Sequence, residues 1–143
     1  MRCISLWQPW ASAVALGLKR IETRHWSTNY TGKLAIHAAK RWTGDERDTA
    51  AMFAGLYDLR LAAPPLGAIV ATARLVRCDR SEDILRRGIG EMEEAFGNYG
   101  RGRFGWILDD IVMLEESVPF RGMQGLFDVP DDLLTQTGKG GLS

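Results

Sequence analysis

Within eight residues, Gly17-Leu18-Lys19-Arg20-Ile21-Glu22-Thr23-Arg24, this chain sets Lys19 and Arg24 around the carboxylate of Glu22, with Trp7, Trp10 and Trp26 on either side. Side chains alternate along a strand, so a strand here puts Glu22 and Arg24 on one face and Thr23 on the other. Lys19 lies just upstream, where the turn after Gly17 can aim it at the same spot. Cations suit phosphate, and aromatic faces suit unstacked bases. A carboxylate can orient an arginine or accept from an exocyclic amine, as it does at cytosine N4. The same trio also admits hydrolysis, with Lys19 and Glu22 as its catalytic pair; Glu22 between two cations suits a base or an anchor better than an acid. A third outcome is plain pairing of Glu22 with Arg24 and no ligand. Binding fits the trio better than catalysis.

Further candidates surround this cluster. Trp10 and Trp26 can stack on bases or wall a pocket, and Lys40 and Arg41 extend a positive rim beside Trp42. Gln8, ahead of Pro9, can cap a helix or read a base edge. Arg121 sits among acidic residues in an Arg-Gly setting and stays a nucleic-acid candidate. Trp7 and Trp106, with apolar neighbours, are expected in the core. His37, amid Leu34, Ile36 and Ala38, is expected to be a satisfied, half-buried histidine. Ser5 and Thr23 have no histidine at a motif-like spacing, which argues against a serine-type triad. Cys3 and Cys78 are isolated, and with only His25 and His37 besides they form no metal motif. No metal and no cofactor are expected.

The elements that must position these residues follow from periodicity. Cys3–Trp7 is expected to be extended. Trp10, Ala13, Val14 and Gly17 recur at helical spacing, giving a short helix from Pro9 to Leu16 that stops at Gly17. Arg20–Trp26 and Lys33–Ala39 read as strands, the second half-buried. Thr43-Gly44-Asp45-Glu46 has the form of a capping box opening a helix to about Asp58. Leu66–Val76, apolar on both faces, reads as a central strand. Ser81 is expected to cap a helix through Phe96 that Gly88 and Gly90 weaken by about 1 kcal/mol each. Phe104–Leu108 and Ile111–Leu114 are two further strands, and Leu126–Val129 is a last one. Residues 97–105 are rich in glycine yet lack the ending of a phosphate loop.

At 143 residues, with zero formal net charge and 45% hydrophobic residues, the chain suits one domain with a real core, residues 1–134, and a loose polar tail, residues 135–143. Its charges segregate. Lys19, Arg20, Arg24, Lys33, Lys40 and Arg41 face Glu22 alone between positions 19 and 42. Asp109, Asp110, Glu115, Glu116, Asp128, Asp131 and Asp132 face Arg121 alone between 109 and 132. That pattern is compatible with one basic working surface and an acidic one elsewhere. Lone thiols and the lack of a signal region or a long apolar run point to the cytoplasm and away from membranes.

Gly17-x-Lys19-x-x-Glu22-x-Arg24 matches the GxKxxExR signature of the ASCH domain family, a branch of the PUA-like superfamily. Ser5-Leu6-Trp7-Gln8-Pro9-Trp10-Ala11 resembles that family's QPW(A) opening, and residues 30–38, 104–108 and 120–127 resemble later pieces in the same order. The resemblance implies an α+β fold, a small PUA-like mixed β-barrel with flanking helices and a cleft lined by the signature. It implies binding of RNA or a nucleotide or nucleoside, with DNA a further candidate. Some similar proteins are described as hydrolases, either ribonucleases or amidohydrolases that remove acetyl from N4-acetylcytidine. In the latter the lysine matching Lys19 is proposed to be catalytic, but a threonine stands where this chain has Glu22. A protein-interaction module built on the acidic C-terminal third is the remaining alternative. Oligomeric state is not legible.

Overall fold

The computed structural model describes residues 1–134; the tail expected over 135–143 lies outside the described residues. The elements run β1 (Arg2–Leu6), α1 (Trp10–Ala15), β2 (Ile21–Arg24), β3 (Gly32–Ala38), α2 (Gly44–Leu56), β4 (Ala68–Arg80), α3 (Ser81–Arg87), α4 (Glu91–Ala95), β5 (Phe104–Pro119) and β6 (Leu126–Asp128), with a 3₁₀ turn at Leu59–Ala62. Six strands form one sheet in the order β2-β5-β4-β3-β1-β6. β1 and β3 pair in parallel, joined by a crossover through α1 and β2, and every other pairing is antiparallel. The register of β4 on β5 slips at three places. Such bulges bend strands and increase twist, and the sheet curls into a half-barrel. This is the α+β, barrel-like architecture with flanking helices that the sequence implies.

Three differences have clear causes. Phe104–Leu108 and Ile111–Leu114 are one strand, because Asp110 adopts a φ of 49° and absorbs the irregularity without ending the pairing. Asp is among the few non-glycine residues that tolerate this region. β3 is buried on both faces from Leu34 to Ala38, not on one, since it lies between β1 and β4 inside the sheet. Ser81 is the first helical residue of α3 and not its cap; Arg80 holds the N-cap position, and no capping hydrogen bond forms. The expected break at Gly88 and Gly90 does separate α3 from α4.

The core has three parts. Ile4, Leu6, Val14, Leu34, Ile36, Leu75, Trp106 and Leu108 fill one side of the sheet. Cys3, Ile69, Val118 and Phe127 fill a second cluster at the β6 end, where burial pushes the Cys3 thiol up to about 12. The third joins helices to one another through Ala13, Phe53, Ala54, Leu61 and Phe96. There Phe96 packs edge-on against Phe53 with centroids 4.7 Å apart. Thr43 opens α2 as expected: Glu46 reaches back to accept its backbone N–H at 2.6 Å. Hydrogen bonding to Thr43 and the nearby Arg41 hold the Glu46 carboxyl at about 2.

Candidate nucleic-acid cleft

The signature begins at the end of α1. Gly17, with φ +77°, closes the helix in the left-handed conformation, and the N–H groups of Gly17, Leu18 and Lys19 return to Val14 and Ala13 carbonyls. This reversal turns Lys19 inward. Its side chain is 0% exposed, and Nζ donates to the Ile21 carbonyl at 2.6 Å and the Phe96 carbonyl at 3.1 Å. Glu22 Oε1 lies 3.4 Å away on the third side. Two of the three ammonium donors are thus spent on backbone carbonyls, and the ion pair with Glu22 closes the third side. The expectation that Lys19 touches a ligand is therefore corrected: it ties α1, β2 and the end of α4 together beneath the cleft.

Glu22 is shared. Its second oxygen lies 3.4 Å from Arg24 Nε, while Arg24 Nη2 donates to the Ser5 carbonyl at 2.6 Å. The pairing of Glu22 with Arg24 thus occurs. Arg24 Nε is buried, with the Glu22 carboxylate as its ion-pair partner and no closer hydrogen bond among the described residues. Beside Arg24 lies a cavity of about 630 Å³ lined by Ser5, Trp7, Trp10, Glu22, Arg24, Asn98 and Arg103, among others. The C-terminal end of α4 forms one wall and is pinned by Glu93, whose carboxylate accepts the Arg20 and Ile21 N–H groups. Beyond it, Asn98 N–H donates to Thr23 Oγ1 at 2.9 Å, so Thr23, on the other face of β2, anchors the loop.

Of the residues anticipated from sequence, Trp10, Glu22 and Arg24 meet at this cleft. The others do not. Gln8 is fully buried; it accepts Ser12 N–H and donates to Ser12 Oγ and the Pro65 carbonyl, so its amide holds the start of α1 and has no edge free to read a base. Trp26 packs edge-on against Trp106 at 4.9 Å, and its carbonyl accepts the Trp106 indole N–H, which commits it to the core margin. Arg41 pairs with Glu46 at 3.0 Å and lies 4.3 Å over the Trp7 ring. Lys40 and Arg121 line a different cavity.

The sequence reading missed several wall residues. Trp7, expected in the core, is 53% exposed, because its position on the edge of the turn into α1 faces solvent. Its neighbour Arg41 was the available signal. Arg103 and Asn98 come from the glycine-rich loop, where no periodicity marks them. Tyr99 sits behind that wall with its hydroxyl buried and without a hydrogen bond among the described residues, and burial raises its pKa.

A curled mixed sheet with a cleft where β2, the start of α1 and the end of α4 converge defines a protein of the PUA-like class. The ASCH domain model matches residues 4–129, so the chain belongs to the ASCH domain family. The ASCH protein of Zymomonas mobilis superposes with a TM-score of 0.57 at 16% identity, covering 97% of this chain and 93% of that one. A tyrosine-to-phenylalanine variant of it gives 0.58 at 15% identity, covering 96% of each. At that identity the likeness concerns the fold. Activating signal cointegrator 1 of Homo sapiens is 46% identical over 39 residues, which is 27% of this chain and 7% of that protein. The Mus musculus protein is 50% identical over 36 residues, 25% and 6% respectively. The matching part is thus a small fraction of those relatives' length. No helix among the described residues is long and apolar enough to cross a membrane.

Proposed function

We propose that the chain binds single-stranded RNA, or a nucleotide-sized piece of it, in the signature cleft. The observation that carries this reading is the Arg24 guanidinium, held by Glu22 and the Ser5 carbonyl in the lining of a cavity that Trp7 and Trp10 also line. A phosphate oxygen or a base carbonyl is the kind of acceptor that a guanidinium at this wall takes. A cavity of about 630 Å³ is of the size that takes one nucleotide. Trp7 and Trp10 supply stacking surface worth about 1–3 kcal/mol per base, Glu22 fixes the arginine, and Arg103 adds charge at the rim. The ASCH domain, a PUA-like fold associated with RNA binding, is consistent with this use. Lys40, Arg41 and Arg121 would extend the track electrostatically.

The test is titration of fluorescent single-stranded RNA at several salt concentrations. Affinity falling steeply with salt, and weakened by Arg24→Ala in a protein of unchanged stability, supports the reading. Absence of binding at low salt overturns it.

A further inference from the structure

A second cavity, of about 820 Å³, lies on the other side of Ser5 and holds a pair of side chains that RNA binding leaves unused. Ser5 and His37 are register partners on the parallel strands β1 and β3. Ser5 Oγ is 2.8 Å from His37 Nδ1, and His37 Nε2 is 2.7 Å from the Phe120 carbonyl. A carbonyl only accepts, so Nε2 carries the ring proton. Nδ1 then offers a lone pair to the Ser5 hydroxyl. The imidazole is thereby fixed as a base against a hydroxyl, with the Phe120 carbonyl orienting it as a carboxylate does in a serine triad. Burial lowers the His37 pKa, which keeps the ring neutral at physiological pH.

The surroundings are those of a site and not only of a staple between strands. Both residues line the cavity together with Lys40, Gly67, Arg121 and Gly122. Gly122 passes so close that a Cβ there would sit 2.7 Å from His37 Cε1 and 3.2 Å from Ser5 Oγ; only bare backbone fits over the pair. The N–H groups of residues 121–124 donate to no protein acceptor among the described residues. Lys40 and Arg121 have no ion-pair partner among them either.

We propose that Ser5 and His37 form an acyl-transfer site for small carboxylic esters bearing an anionic group. Ser5 Oγ bonds to the ester carbonyl carbon as its proton passes to His37 Nδ1. The carbon–oxygen bond to the leaving alkoxide breaks, and that oxygen takes the proton back from His37 and departs as the alcohol. Water then attacks the acyl-serine, giving its proton to Nδ1, and the acid leaves with Ser5 Oγ reprotonated. The Gly122 backbone, which passes over the pair, is the group best placed to serve the developing oxyanion. Lys40 and Arg121 select the anionic tail.

The experiment treats the full chain with a fluorophosphonate probe, maps the adduct by peptide mass, and follows hydrolysis of 4-nitrophenyl acetate and of the 4-nitrophenyl monoester of succinic acid. The expected result is a single adduct at Ser5, its loss in Ser5→Ala, and labelling slowed about a hundredfold or more in His37→Gln. Joint Lys40→Ala and Arg121→Ala substitution lowers the ratio of the succinate ester's rate to the acetate ester's. A wild-type chain whose Ser5 stays unmodified under excess probe overturns the proposal, and so does wild-type labelling of His37→Gln. Mapping the wild type needs no variant to fold, and RNA binding can fail or succeed independently of it.

Discussion

The signature cleft and the cavity beside it share one residue, Ser5, and are built in opposite ways. The signature cleft rests on charge: Glu22 between Lys19 and Arg24, each 3.4 Å away, with Lys19 sealed beneath. The second cavity rests on neutral hydrogen bonds running Ser5 to His37 to Phe120. Ser5 serves both, its carbonyl accepting from Arg24 and its hydroxyl facing His37. The difference teaches that a charged site is expensive to disturb from below, because buried ions depend on their partners. A neutral one is sensitive to protons.

The most severe way to break that contrast is to truncate Lys19. Lys19→Ala leaves Glu22 short of a cation and two carbonyls without a donor, and about 3–5 kcal/mol of stability is expected to go, read from urea unfolding. Lys19→Met is expected to lose less, since an apolar side chain of similar volume avoids the buried charge. If Lys19→Ala abolished RNA binding at full stability, the cleft would not be built on it. Next comes Arg24→Ala, which removes a charged donor from the cavity wall; a loss of about 1.5–3 kcal/mol in RNA affinity is expected, measured by fluorescence anisotropy, with a smaller effect on stability. The two tryptophans sharpen the cleft further. Trp7→Ala is expected to weaken binding by about 1–3 kcal/mol and leave the melting temperature near wild type, since the ring is 53% exposed. Trp10→Ala lowers both, because that ring also packs edge-on against Phe53 at 6.4 Å.

The smallest effect is titration of the second cavity. Burial holds the folded His37 below its ordinary 6.5, so below pH 6.5 the unfolded chain binds the proton first. Stability from this group is full above pH 6.5 and falls as the pH drops toward the folded value. His37→Gln removes that dependence, and unfolding midpoints measured from pH 8 to 5 check it.

The same contrast explains what could be read from the chain alone. The cleft's charged set is contiguous, positions 17–24, and a turn plus a strand is enough to bring Glu22 and Arg24 to one face. Ser5 and His37 are 32 positions apart, and only the parallel register of β1 on β3 makes them neighbours. That pairing needs the whole α1–β2 crossover, which no local pattern encodes. The expectation of a ligand-facing Lys19 followed the motif, where the Gly17 reversal decides. Trp7 and Trp26 exchanged their expected roles because exposure at a turn depends on what packs next to it. The long elements were legible, since burial and period dominate there, as in β4 and the Thr43 cap.

The buried amine of Lys19 has a practical use. Acylating reagents modify lysines only where the nitrogen meets solvent with a lone pair to give. Lys33 and Lys40 are exposed, whereas Lys19 is enclosed on three sides. Its rate of acetylation is therefore a clock for transient opening of this corner of the fold, readable by mass spectrometry in the intact protein. A ligand that seats in the cleft above should slow that clock without ever touching the nitrogen it times.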